Sequence, residues 1–239
     1  MSLERLLALF GFLFHTVTDD GDVCLILEHR QLRVSSNVLM QKSLVFKAML
    51  GPNFSEGQQP RSAENPLTVK LEDDDTESIA ILCVLLHKGV DEACLNIHDK
   101  VQATHAATRL ARLAIVVDKY AAVDQLEAEE WYALFQPFIN RNGEYELDIE
   151  RTSDLALAAY LLHQNELFSL FTRRLILDYN KQLSMLKHSD FFAYIPIFAI
   201  RKYSVRLTVA HRRNCSSADK TQFNSKSSAL SCTPASVAW

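Results

Sequence analysis

Strand-type hydrophobic patterns are confined to the first 72 residues of this 239-residue sequence, and every periodic segment after them has helical spacing. Residues 23–27 form a continuous apolar run after an Asp- and Gly-rich turn, which predicts a buried strand. Residues 31–34 and 67–72 alternate between apolar and polar side chains, as strands with one covered face do. These patterns predict an α+β fold with a small three-stranded sheet, in which the first two strands form a hairpin.

Helices are predicted around and after this sheet. Apolar residues recur at helical spacing over residues 38–50, between capping side chains at 35–37 and a stop at Gly51-Pro52. A second helix is expected from the acidic residues 73–75 to Gly89, and a third runs to about Tyr120. Later helical segments are residues 126–139, the stripe Leu155, Ala158, Ala159 and Leu162, and the stripe Leu167, Leu170, Phe171 and Leu175. They predict a helical extension over residues 123–190.

The charge distribution sets the last segment apart from the rest. The whole chain has a net charge of −4, but residues 201–239 carry seven Lys or Arg and one acid, which leaves −10 for residues 1–200. This basic tail is rich in Ser, Thr, Asn and Lys, a composition that predicts poor order. The acidic balance of the body argues against a nucleic-acid binder as a description of the whole chain.

Residues 1–18 form an N-terminal apolar segment around the nine-residue run 6–14. A membrane span needs about 20 residues, so no membrane role is expected. The run resembles a signal-peptide core, yet no small-x-small cleavage site follows it. The five cysteines form no C-x-x-C pair and their number is odd, which favours a reducing compartment. We therefore prefer a cytoplasmic or nuclear protein whose N-terminal segment is a helix that packs on the body or on a partner.

No catalytic constellation is present in the sequence. It contains no G-x-S-x-G, H-E-x-x-H, G-x-x-x-x-G-K-[ST] or G-x-G-x-x-G pattern. The acidic run 72–75 lacks the glycine and distal glutamate of a calcium loop and is interpreted as helix-start charge. His98 and His105 would need further ligands to hold a metal, and Cys94 has no third group to orient a thiol–base pair. We predict no enzyme, cofactor, metal site or small-molecule substrate.

Five segments in a fixed order resemble the BTB/POZ domain in its fungal form, over residues 21–122. They are Gly21-Asp22-Val23, Leu32-x-Val34-Ser35-Ser36-x-Val38-Leu39, Ser43-x-x-Phe46-Lys47-Ala48-Met49-Leu50, Leu67-x-Val69-x-Leu71-Glu72-Asp73-Asp74-Asp75 and Val117-Asp118-Lys119-Tyr120. The resemblance implies a BTB/POZ domain at 19–122, followed by the helical extension and the tail. Ser35 stands where many relatives carry histidine, a departure expected to change a local hydrogen bond.

The resemblance implies a protein–protein interaction module with protein partners. Many members of the family dimerise, and a subset binds the cullin scaffold of ubiquitin ligases through a hydrophobic-x-Glu motif in the loop after the first long helix. Phe54-Ser55-Glu56 stands at that position. An exposed Phe54 gains by desolvation in a partner's pocket, while Glu56 fixes the register. The alternative is that Phe54 folds back onto its own loop.

Residues 3–17 are a candidate dimer segment, because family dimers exchange an N-terminal helix and strand. Leu6, Leu9, Phe10 and Leu13 follow one another at i, i+3, i+4 and i+7. The same side chains would serve equally well to cover the sheet of a single copy. The sequence leaves both interpretations open.

A nuclear, chromatin- or DNA-associated regulatory factor is the alternative function. In this interpretation the BTB domain dimerises and the basic tail, with Arg212-Arg213, contacts phosphates. The absence of a base-reading motif in the sequence counts against it.

Overall fold

The computed structural model describes residues 13–28, 30–71, 73–90, 100–139, 147–178 and 193–195. The chain divides into two units, Met1–Ile195 and Pro196–Trp239, and every described residue belongs to the first. Three members of the predicted dimer segment (Leu6, Leu9 and Phe10) and the basic tail lie outside the described residues.

The described part of the chain alternates strands and helices before residue 71 and contains helices after it. In chain order the elements are β1 (Leu13–Thr16), β2 (Val23–Ile26), β3 (Arg30–Val34), α1 (Ser36–Lys42), α2 (Leu44–Met49), β4 (Leu67–Lys70), α3 (Thr76–Lys88), α4 (Lys100–Lys119), a 3-10 turn (Val123–Gln125), α5 (Ala128–Ala133), α6 (Gln136–Ile139), α7 (Ile149–Leu161) and α8 (Asn165–Asp178). This confirms the α+β class.

The strands form one mixed sheet in the order β1-β3-β2-β4. β2 and β3 form the predicted antiparallel hairpin, and β4 lies parallel to β2. Leu25 is opposite Leu32 on one side and Val69 on the other, and all three side chains are buried. β4 alternates buried and exposed residues as its sequence predicts.

Strand β1 was not predicted, and it adds a fourth strand to the three expected ones. Leu13–Thr16 pairs in parallel with β3, so Leu13 lies in a strand and not on a helix over residues 3–17. The sheet thus includes residues from the predicted N-terminal segment. Periodicity cannot separate helix from strand in a continuous apolar run, and here the exposed edge of β3 provides the backbone partners.

Helix α3 is buried over most of its length. The side chain of Asp75 caps it by accepting from the backbone N–H of Ser78 (2.9 Å). Gly89 ends it at φ 83°, a conformation that glycine adopts without strain. Every residue from Ser78 to Leu86 is buried, because α3 packs against β3, α1 and α4. Both predicted ends of this helix are confirmed.

Two predicted single helices are each split in two. Residues 36–49 form α1 and α2, which are separated at Ser43. Residues 128–139 form α5 and α6, because Pro137 has no backbone N–H to continue α5 but fits the first turn of a new helix. The third predicted helix, for which the pattern indicates only an end at about Tyr120, is α4 and begins at Lys100.

Helices α4, α7 and α8 pack against one another in succession. α7 is in the middle and is buried almost throughout, including all residues from Leu155 to Ala159. On α8 the predicted stripe is buried at Leu167, Phe171 and Leu175, but Leu170 is 46% exposed. Leu170 lies at the edge of that stripe, where spacing alone does not decide which side faces α7.

Candidate docking surface

The loop that carries Phe54 is a pair of consecutive turns. The N–H of Phe54 donates to Gly51 O (3.4 Å), and the N–H of Gly57 donates to Phe54 O (3.1 Å). A Cβ at Gly57 would lie 1.7 Å from Gly51 O, so only glycine allows the two backbone segments to approach this closely. The loop is therefore a compact structure with Phe54 at the junction of its turns.

Arg61 fastens this loop to three other segments. Its Nη1 donates to Leu50 O (3.2 Å) at the end of α2, and its Nε lies 3.4 Å from Oδ2 of Asp22. Its Nη2 lies 3.9 Å from Sδ of Met40 on α1. Asp22 also accepts from the backbone N–H and the hydroxyl of Ser36 (2.7 and 2.6 Å). One arginine and one aspartate thus join the starts of β2 and α1 to the loop.

A groove of about 770 Å³ lies beside this loop. We call it the α1–α2 groove, and its lining residues are Met40, Gln41, Leu44, Lys47, Ala48, Gly51, Pro52 and Asn53. Leu44 is 68% exposed, and Phe54, which directly follows the lining residue Asn53, is 52% exposed. Apolar side chains this open, next to a largely apolar groove, are typical of a surface that a partner covers.

Glu56 lies in the same loop, and its carboxylate accepts a hydrogen bond there. Its carboxylate accepts from the Ser55 hydroxyl (2.8 Å). A hydrogen bond from its own backbone N–H, and then the one from Ser55, lower the pKa of Glu56 below its usual value. The structure therefore brings a half-exposed aromatic ring and a fixed negative charge together within three residues.

The junction of the two helices that line the groove is fastened through Ser43, which separates α1 from α2. The Ser43 hydroxyl accepts from the N–H of Phe46 (3.1 Å) and donates to Tyr120 O (2.6 Å) at the end of α4. The rings of Phe46 and Tyr120 stack at 4.5 Å. The Tyr120 hydroxyl donates to Asp74 (2.8 Å), and burial followed by this contact raises the pKa of Tyr120.

His87 holds the start of α1 and was missed at the sequence level. Its Nε2 accepts from the backbone N–H of Ser35 (3.0 Å), and its Nδ1 lies 2.8 Å from Cys83 O. Because Nε2 accepts, the neutral ring carries its proton on Nδ1 and donates it to Cys83 O. Burial is the main cause that lowers the pKa of His87. The unusual Ser35 thus has a local partner on α3.

The described residues give little support to a metal site or a reactive thiol. Among them no group of His, Cys, Asp and Glu is arranged to hold a metal ion. Asp74 and Asp75 instead bind Tyr120 and cap α3, as expected of helix-start charge. Burial raises the pKa of the Cys83 thiol to about 12, which keeps it unreactive. Cys94 and His98 lie outside the described residues.

No helix within the described ranges is long and apolar enough to cross a membrane. A comparison with known proteins finds no family model that matches the chain and no curated protein that matches it.

Proposed function

We propose that this chain is a non-enzymatic BTB/POZ-type interaction module, which self-associates or recruits partners to a cullin-type ubiquitin ligase. The observation that carries the proposal is half-exposed Phe54 next to the wall of the α1–α2 groove. The motif Phe54-Ser55-Glu56 and the α1–α2 groove together supply a docking surface on the unit Met1–Ile195.

The order of the elements supports the BTB/POZ assignment. The resemblance implies two strands, a helical segment, a third strand and then two helices. The chain has β2, β3, α1–α2, β4, α3 and α4 in that order. The hairpin β2–β3 with β4 added in parallel beside β2 is compatible with it.

The chemistry of the groove supports docking of a partner with an apolar side chain. Leu44 and Phe54 each leave about half or more of the side chain in water, so covering them removes apolar surface from solvent. Glu56 adds a fixed charge that a basic group of the partner can meet. Since Arg61 and Gly57 already hold the loop, little conformational entropy is lost when the partner binds.

A binding measurement with purified cullin scaffold tests the proposal. We expect the wild-type chain to bind, and Phe54→Ala to weaken binding about tenfold or more because it removes the apolar anchor. Glu56→Lys should also weaken binding, since it reverses the charge that fixes the register. Leu44→Ala should weaken binding too, because Leu44 is an exposed apolar residue of the groove lining.

Glu64→Lys is the matched control for Glu56→Lys. Glu64 is exposed in the same loop, and its own backbone N–H and then Ser62 lower its pKa in the same way. We expect Glu64→Lys to bind like wild type, and all variants to keep the wild-type circular dichroism spectrum. A wild-type chain that fails to bind the scaffold, or a folded Phe54→Ala that binds equally well, would refute the ligase-adaptor function.

A further inference from the structure

Helix α8 has two opposite faces of different character. The face towards α7 is buried and consists of Leu167, Phe168, Phe171, Thr172 and Leu175. The other face carries Glu166, Leu170, Arg173 and Leu177, all of them exposed. At 100° per residue these four positions fall within a stripe about 60° wide.

The outer stripe is apolar enough to indicate a partner. Leu170 is 46% exposed and Leu177 is 59% exposed, and they lie seven residues apart on one line. A helix that only faces water carries polar residues at such positions. The stripe is a convex ridge, which suits another helix better than it suits a small molecule.

The charges of the stripe identify the partner. Glu166 and Arg173 are also seven residues apart, and neither forms an ion pair with another residue in the described part of the chain. An antiparallel copy of the same helix would place each glutamate opposite the arginine of the other copy. The stripe is therefore complementary to itself, as an interface with twofold symmetry requires.

We propose that α8 is a self-association surface, whose occupant is α8 of a second copy of this chain. In the antiparallel pair two Glu166–Arg173 ion pairs flank the two Leu170 side chains near the twofold axis. In this register Leu177 lies opposite position 162 of the second copy, between its α7 and its α8. The buried area is small, so the dimer is weak and depends on protein concentration. This surface is on a different helix from the α1–α2 groove; it rests on the self-association part of the proposed function, and its test does not depend on cullin binding.

Charge reversal with the full chain tests the proposal, with mass measured by sedimentation equilibrium over a range of concentrations. Wild type should pass from monomer to dimer as concentration rises. Glu166→Lys and Arg173→Glu should each weaken association about tenfold or more, because each places two pairs of like charges across the interface. An equimolar mixture of the two variants should recover a heterodimer, since both of its ion pairs are then between opposite charges.

Two further variants make the result specific to α8. Leu170→Asp should abolish association, because it places two negative charges near the twofold axis, and Glu129→Lys, an exposed reversal on α5, should leave it unchanged. All variants should keep the wild-type circular dichroism spectrum. The proposal is overturned if wild type stays monomeric at every concentration, or if the two reversed variants associate as strongly as wild type. The second result would show that another surface, such as the N-terminal segment, joins the copies.

Discussion

The sheet region, residues 13–90, and the helical layer of α4, α7 and α8 are held together in different ways. In the sheet region polar side chains bind backbone groups far away in sequence, as Ser43 binds Tyr120 O and Lys42 binds Leu86 O (2.6 Å each). In the helical layer many polar side chains bind within their own helix, as Thr152 and Ser153 do on α7.

This difference explains what kind of docking surface each region can carry. Loops such as residues 51–66 have no ladder of their own, so they keep one shape only when side chains fasten them to neighbouring elements. The helical layer is stabilised by close packing of its interior, and the small residues on α7 let the neighbouring helices approach. The sheet region therefore presents a rigid loop at its surface, and the helical layer presents the outer face of a helix.

The largest loss of stability is expected when a buried aromatic ring is removed from either region. Phe46→Ala and Phe171→Ala should each lower the free energy of unfolding by about 3–5 kcal/mol, because both remove a fully buried ring. Urea unfolding followed by circular dichroism and by the fluorescence of buried Trp131 would measure it. If both variants shift one common transition, the regions unfold together. Two separate transitions would mean that they are independent.

Two arginines, one in each region, test whether side-chain contacts stabilise the sheet region more than the helical layer. Arg61→Ala should cost about 2 kcal/mol of unfolding free energy, since it breaks charge-assisted contacts to Asp22 and Leu50 O. Arg151→Ala should cost about 0.5 kcal/mol or less, because it pairs with the exposed carboxylates of Asp148 and Glu150 on its own helix. Equal losses in the same urea experiment would contradict the distinction drawn between the regions.

Acidification should weaken the sheet region through His87. The pKa of His87 is lowered in the folded state, so the unfolded chain binds the proton more readily. Stability is therefore complete above pH 6.5, the ordinary pKa, and falls as pH drops below it, by at most about 1.4 kcal/mol per pH unit from this group. His87→Gln should flatten the dependence of the urea midpoint between pH 7.5 and pH 5.5, and an unchanged slope would exclude His87 as the cause.

A gain in stability is expected from one substitution in the helical layer. Among the residues that the structure describes, none forms a hydrogen bond with the buried hydroxyl of Thr172 on α8. Thr172→Val keeps the shape and removes the unpaired group, so it should raise the unfolding free energy by about 1 kcal/mol. Ser43→Ala is the contrasting change, since it removes a hydroxyl with two partners and should destabilise the chain.

Local signals in the sequence predict much of the sheet region. Alternation identifies β4, and the turn residues before Val23 identify the start of the hairpin. Asp75 and Gly89 mark the ends of α3 because capping depends on residues within one turn of the helix. The position of Phe54 follows from the motif, although its exposed fraction does not.

The features that were missed depend on partners distant in sequence. The break at Ser43 has one local cause, the cap of Phe46, and one distant cause, the contact with Tyr120 77 residues away. The position of the loop depends on the contact of Arg61 with Asp22, and that of β1 on the edge of β3. Spacing along one segment does not contain this information, and for the same reason it did not separate exposed Leu170 from its buried neighbours.

The strand order has a consequence for how the chain folds. The β2–β3 hairpin closes a connection of a few residues, whereas β1 skips its neighbour to reach β3 and β4 pairs with β2 across more than forty residues. Loop-closure entropy rises with the length of the connection, so the hairpin is the least costly part to form first. The sheet then grows outwards from it, and α1 and α2 come into place when β4 arrives. Although β1 is synthesised first, it joins the sheet only after the two strands that follow it have paired.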